Sequence, residues 1–193
     1  MAWTIKEQGK HVSVSMNQDF IKITTMSGHG IVFVDRDYSS EFLSRNSSPS
    51  ALGLMLRKCF QQSKVIPLKK LETDYSVPKI LEYAKQKSAD IMEKYGYQSE
   101  REMGRYLIHV SVTNKDGNIV LMSSNMDGLN SFSRRRDDGL GEDVVVSSDV
   151  TDEQLGEALL LALSRATIKR KPNPHFKDGV VQSIGANKKR SST

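Results

Sequence analysis

The sequence lacks most of the patterns that identify an enzyme, a secreted protein or a membrane protein. Its 193 residues include one cysteine, Cys59, so neither an internal disulfide nor a cysteine-based zinc site can form. The apolar runs are only a few residues long, too short to span a bilayer. The charged segment 1–11 never builds the apolar stretch of a secretory signal, so we expect a cytoplasmic protein with no membrane association.

Residues with catalytic or metal-binding chemistry are few and scattered. The histidines His11, His29, His109 and His175 show none of the short spacings that place two imidazoles on one metal. The glycine fragments at 28–30 and 139–141 lack the spacing of a phosphate-binding loop. We therefore predict no catalytic residue, no metal and no cofactor. A hydrolase that uses Cys59 or His109 is the least favoured alternative, because Cys59 falls within an apolar helical stripe.

Positive charge is concentrated at the C-terminus. The net charge is +5, but residues 169–193 carry seven basic residues and one acidic residue, which leaves 21 basic and 22 acidic residues in 1–168. We therefore predict a single α/β domain over 1–168 and a basic, partly mobile extension over 169–193. A protein that binds nucleic acid through this extension is an alternative. The nearly neutral charge of residues 1–168 weakens this nucleic-acid alternative.

The N-terminal half alternates between strand and helix signals. Residues 2–7, 11–16, 20–26 and 30–34 predict an antiparallel meander, because Val12, Val14 and Met16 alternate with polar residues. The polar segment 35–50 predicts a surface loop. Helices are predicted over 51–63 and 77–95, the second with Ser76 as its cap and Pro78 in its first turn. Its apolar stripe comprises Val77, Ile80, Leu81, Ala84, Ser88, Ile91 and Tyr95.

The C-terminal half contains a hairpin and a strand-helix unit. Two apolar segments, 107–112 and 119–122, flank the turn Lys115-Asp116-Gly117. Later, the strand within 143–148 leads into a helix that begins with a capping box, because Thr151 and Gln154 have the required spacing. Leucines repeat every four residues along this helix and predict a buried face.

The strand-helix segment VVVSSDVTDEQLGEALLLALSRA also carries a family resemblance. It resembles the C-terminal segment of the CdiI-type immunity proteins of contact-dependent growth inhibition, through the words DEQLGEA and LALSR. The resemblance implies an α/β (α+β) single domain, with a central, mainly antiparallel sheet flanked by about three helices. It also implies a non-enzymatic bacterial protein that binds and neutralises the toxin domain, expected to be a nuclease, of a cognate effector.

The strongest candidate for a partner-binding surface is the polar loop before the last strand. Residues 128–142 form a long insertion rich in both charge signs, and long loops beside strand edges often bind partners. An exposed strand edge is the other candidate. Arginine donors and carboxylate acceptors in this loop suit a protein partner. The predicted contact residues are Arg134, Arg135, Arg136, Asp137, Asp138 and Glu142.

Overall fold

A computed structural model describes residues 4–129, 131–134 and 142–182. Within these ranges the chain forms six helices, three of which have 14 residues or more. No helix there is long and apolar enough to cross a membrane. The helices are α1 (Ile5–Gln8), α2 (Pro49–Gln62), α3 (Leu68–Asp74), α4 (Val77–Tyr95), α5 (Glu100–Met103) and α6 (Asp152–Arg165).

The strands form one large antiparallel sheet and two small sheets. The strands of the main sheet are β1 (Lys10–Met16), β2 (Ile21–His29), β3 (Ile31–Val34), β4 (Glu41–Leu43), β5 (Ile108–Lys115), β6 (Asn118–Ser123) and β9 (Val144–Ser147). Their order is β3-β2-β1-β5-β6-β9, and β4 pairs with the other end of the long strand β2. The small sheets use β7 (Asn125–Gly128), β8 (Ser131–Ser133), β10 (Thr167–Ile168), β11 (Lys171–Pro172), β12 (Phe176–Lys177) and β13 (Val180–Val181).

One face of the main sheet, here called the first face, forms the hydrophobic core. Alternate strand residues such as Val14, Ile23 and Val110 are completely buried on it, against leucines of α2 and α6. This is the two-residue period that the sequence predicts for β1. The α+β fold class is therefore confirmed.

Two glycines allow α2 and α6 to approach each other closely. A Cβ added at Gly156 would lie 1.8 Å from the carbonyl oxygen of Pro49, and one added at Gly53 would lie 1.9 Å from that of Asp152. Each glycine lies in the first turns of its helix and faces the first residue of the other helix. Each helix therefore contributes one glycine to the close crossing, and a side chain at either glycine would clash with the other helix.

The opposite face, here called the second face, is more polar and less densely covered. It presents Ser13, Ser15, Lys22, Thr24 and His109, in register across β1, β2 and β5. The helix α4 lies opposite this face across a cavity of about 460 Å³. Ile91 is the one residue among the described side chains of α4 that is buried. Val77 and Leu81 of the predicted apolar stripe are 69% and 63% exposed, so this part of the stripe is not covered by the sheet.

Several short elements differ from the sequence predictions. The predicted strand 2–7 is wrong where the structure describes it, because Thr4 and Glu7 form a capping box that begins α1. The predicted loop 35–50 contains β4, and the segment between α2 and α4 contains α3. The predicted hairpin of β5 and β6 is confirmed, with Asp116 and Gly117 at positive φ in its turn.

Residues 169–182 are held against the rest of the protein through a few buried side chains, although most of the segment is exposed. Asn173 and His175 are 3% and 0% exposed, and the Asn173 side-chain amide donates to the Leu163 carbonyl at 3.2 Å, near the end of α6. The His175 ring donates from Nε2, as the nitrogen that carries the proton, to the Tyr106 carbonyl oxygen. The domain boundary at 168 stays a prediction, and residues 183–193 lie outside the described residues.

Candidate partner-binding surface

The predicted binding loop begins at a small sheet whose conformation is fixed by a buried amide. Asn125 of β7 is fully buried, and its Oδ1 accepts from the Thr167 hydroxyl at 3.0 Å and from the Arg170 backbone N–H at 2.8 Å. Its Nδ2 donates to Asp127 Oδ1 at 2.6 Å. These bonds join β7 to β10 and hold the start of the loop against the domain. Buried polar groups with all their partners in place specify one arrangement.

Arg134 closes the base of this loop. Its guanidinium donates to the Ser123 carbonyl at 2.9 Å and forms an ion pair with Asp143 Oδ1 at 2.8 Å. Both charged side chains are about one-third exposed, at 32% and 33%. The pair therefore links the end of β6 to the residue just before β9. Arg134 positions the loop base as well as contributing charge to its surface.

Glu142 is the first described residue at the C-terminal end of the loop. Its carbonyl oxygen accepts from the Arg165 guanidinium at 2.7 Å, and Glu142 itself is exposed. The remaining predicted contact residues, Arg135, Arg136, Asp137 and Asp138, lie outside the described residues. Whether the six predicted residues contact a partner stays a prediction.

The strand that follows the loop provides an open edge. β9 pairs with β6 on one side and ends the main sheet on the other, with no further strand beyond it among the described residues. Val144 and Val146 pack into the core, whereas Val145 turns to the second face and is 57% exposed. Unpaired backbone groups at such an edge can pair with a strand from another chain. The short apolar run of valines predicts this strand, but its edge position depends on the order of the strands in the sheet.

The two residues of the hydrolase alternative lie on opposite faces of the sheet. Cys59 is buried in the core against the first face, where burial raises the pKa of its thiol and a hydrogen bond from Thr25 only partly offsets this. His109 lies on the second face, between the hydroxyls of Ser13 and Ser124 at 3.1 Å each. Burial, and secondarily the Lys22 charge, lower the pKa of His109 to about 4. The sheet separates the two groups, so they cannot act as nucleophile and base on one substrate.

In the described part of the chain, no group of three or more His, Cys, Asp or Glu side chains is placed to hold a metal ion. The surface at the loop base and β9 is thus composed of an ion pair, an exposed strand edge and an exposed carboxylate. Groups of this kind can pair with complementary groups on another macromolecule.

The described residues thus form an α+β fold whose main sheet ends at the open edge of β9. The chain belongs to the CdiI family of CDI immunity proteins, whose family model matches residues 10–166. The matched residues include the strand-helix segment on which the sequence resemblance rests. They also extend the similarity to this family over most of the chain.

Two solved structures share the fold. A protein of unknown function from Neisseria meningitidis is 24% identical, with a TM-score of 0.77, and the match covers 86% of this chain and 99% of that one. A chain from the CdiA-CT/CdiI toxin and immunity complex of Yersinia pseudotuberculosis is 22% identical, with a TM-score of 0.73, covering 82% and 97%. No curated protein matches the chain significantly.

Proposed function

We propose that this CDI immunity protein binds the toxin domain of its cognate effector in the bacterial cytoplasm and neutralises it stoichiometrically, without catalysis. The observation that carries the proposal is the open edge of β9 beside the base of the charged loop. Membership of the CdiI family supports it. So does the fold shared with a chain from a solved toxin and immunity complex. The toxin is proposed to be a nuclease whose active site is occluded or distorted in the complex.

The contact surface is proposed to comprise the β9 edge and the loop 128–142. The edge offers backbone hydrogen bonds, and the exposed Val145 adds apolar area beside them. The loop offers guanidinium and carboxylate groups of both signs, which favour one partner over others through charge complementarity. Its proposed contact residues are Arg134, Arg135, Arg136, Asp137, Asp138 and Glu142.

The direct test is co-expression with the toxin domain encoded beside this chain. The proposal predicts that growth is rescued and that an equimolar complex survives gel filtration. The purified toxin domain should degrade nucleic acid, and one equivalent of this protein should stop it. Persistent growth arrest, together with separate elution of the two proteins, would show that the proposal is wrong.

Two pairs of variants test the surface. Val145→Glu places a charge beside the open edge and should weaken the complex tenfold or more, whereas the equally exposed Val180→Glu on β13 should not. Glu142→Lys should weaken it about tenfold, while Glu157→Lys on α6 serves as its control. Equal affinities for both members of each pair, measured by calorimetry, would place the contact elsewhere.

The nucleic-acid alternative needs a truncation that spares the packed residues. Removal of 169–193 would expose the pocket of Asn173 and His175, so the better variant ends at residue 182. This variant retains the described contacts and loses three basic residues, Lys188, Lys189 and Arg190. Toxin neutralisation should be unchanged. Loss of a salt-sensitive affinity for nucleic acid, with no toxin complex in either form, would favour the alternative.

A further inference from the structure

The cavity between the second face and α4 has the size and composition of a ligand site. Its volume of about 460 Å³ falls within the range of about 300–1,000 Å³ typical of small-molecule pockets. Most of its lining is apolar and comes from both sides: Met26 and Val34 from the sheet, Ile80 and Ile91 from the helix. It lies at the β2–β3 end of the main sheet, whereas β9 forms the opposite end. The cavity is thus separate from the proposed toxin surface.

The charged groups of this cavity have one sign. Lys22, Arg36 and Lys87 line it, and no acidic residue of the described chain does. Lys87 is paired with Asp90 at 2.8 Å, and the Arg36 guanidinium lies over the rings of Tyr75 and Tyr83, at 4.8 and 5.1 Å from their centroids. The Lys22 ammonium has neither a hydrogen bond nor an ion pair with any described side chain and, unlike the Arg36 guanidinium, no cation–π contact among them. Its position favours an anion in the cavity.

Lys22 is placed at the inner wall of the cavity. It is the second residue of β2 and projects from the second face, in register with Ser15 on one side and Phe42 on the other. Burial lowers the pKa of its ammonium, because water is displaced and no counter-charge replaces it. A charge held in apolar surroundings is destabilising unless an opposite charge joins it.

From this geometry we infer that the cavity binds a small organic carboxylate with an apolar body, whose carboxylate pairs with Lys22 while its hydrocarbon fills the space between β2, β3 and α4. Charge complementarity selects a carboxylate over a cation, and the apolar lining selects a hydrocarbon chain over a hydrophilic acid. Ser15 and Thr24, which flank Lys22 on the sheet, add hydroxyls near the carboxylate.

The test is calorimetric titration of the full chain with hexanoate, octanoate and decanoate, and with 1-decanol as the neutral probe. Each added methylene should tighten binding about three- to fourfold until the cavity is filled. Lys22→Met should weaken decanoate binding tenfold or more and leave the decanol affinity unchanged. Lys85→Met, on the exposed side of α4, is the matched control. Because Lys22→Met removes an unpaired charge, it should fold and melt at a higher temperature than the wild type.

A second pair of variants tests the location. Ser88→Phe fills the cavity from α4 and should abolish binding of decanoate and decanol alike, whereas Ala89→Phe, on the adjacent exposed position, should abolish neither. Absence of carboxylate binding up to millimolar concentration would overturn the inference. Equal affinity for decanol and decanoate, unaffected by Lys22→Met, would also overturn it. If Ser88→Phe instead prevents complex formation with the toxin domain, and no carboxylate binds, the cavity accepts a polypeptide and the inference is wrong.

Discussion

The two faces of the main sheet are built from the same strands but are covered in different ways. On the first face, Val14, Ile23 and Val110 pack against two helices that cross at glycine contacts, and these side chains are inaccessible to solvent. On the second face, polar residues that include Ser15 and Lys22 line a cavity that separates the sheet from α4. The first face therefore supplies most of the folding free energy. The second is freer to accept a ligand, because less of its packing is needed for stability.

The largest expected effect comes from breaking the helix crossing on the first face. Gly156→Ala would normally stabilise a helix by about 1 kcal/mol. Here its Cβ meets the Pro49 carbonyl at 1.8 Å, and backbone cannot move aside as a flexible side chain can. We expect destabilisation of about 4 kcal/mol or failure to fold. Urea unfolding of Gly156→Ala beside Leu161→Ala, an exposed position of the same helix, measures the difference. A gain in stability would contradict the close crossing.

A matched pair of leucines compares the two faces directly. Leu159 of α6 is 0% exposed and Leu81 of α4 is 63% exposed. Leu159→Ala should lower the free energy of unfolding by about 3 kcal/mol, through lost burial and the cavity left behind. Leu81→Ala should change it by less than about 0.5 kcal/mol. Similar losses for both variants, in the same urea experiment, would mean that α4 packs as tightly as α6.

The sequence predicts the first face better than the second. The alternation in β1 and the leucine repeat in α6 identify buried residues because each pattern is local to one element. The stripe on α4 is equally regular, yet Val77 and Leu81 are exposed, since the helix is held away from the sheet. Periodicity shows which residues lie on the same side of a helix or strand, but it does not show which element packs against that side.

The same limit applies to the candidate sites. Lys22 lies between the buried residues Ile21 and Ile23, so the sequence predicts that its side chain points away from the core. The same pattern is expected for a lysine that is simply exposed to solvent. The cavity beside Lys22 requires β2, β3 and α4 to meet, which no local pattern specifies. The loop 128–142 was identifiable from its composition, but the open edge of β9 follows from the strand order. By contrast, the capping box of Thr4 and Glu7 was visible in the sequence and would have identified α1.

The pH dependence of stability tests the second face through His109. The folded pKa of His109, about 4, lies below the ordinary value of 6.5, so the unfolded chain binds a proton that the folded protein excludes. The stabilisation is complete above pH 6.5 and is lost as pH falls toward 4. Between pH 7.5 and 5 we expect a loss of about 2 kcal/mol from this group.

His175 provides the comparison within the same experiment. Burial lowers its pKa to about 4 as well, against the opposing effect of its bond to the Tyr106 carbonyl. It should therefore contribute a similar loss. Urea unfolding at pH 7.5 and 5 should give a smaller pH-dependent change for His109→Gln and for His175→Gln than for the wild type. An unchanged pH dependence in His109→Gln would show that its imidazole is protonated in the folded protein.

The smallest effect distinguishes the caps of the two long helices that face opposite sides of the sheet. In α6 the Thr151 hydroxyl accepts from the Gln154 N–H at 3.2 Å, and the Gln154 side chain accepts from the Thr151 N–H at 2.9 Å. In α4 the predicted cap Ser76 has the extended backbone of a cap, but its side chain makes no capping hydrogen bond. Thr151→Ala should therefore lower the free energy of unfolding by about 1 kcal/mol. Ser76→Ala should change the free energy of unfolding by less than about 0.3 kcal/mol, since no capping bond is lost. A loss of about 1 kcal/mol in both variants would mean that the Ser76 side chain caps α4 in solution, and that the first turn of α4 is stabilised as much as that of α6.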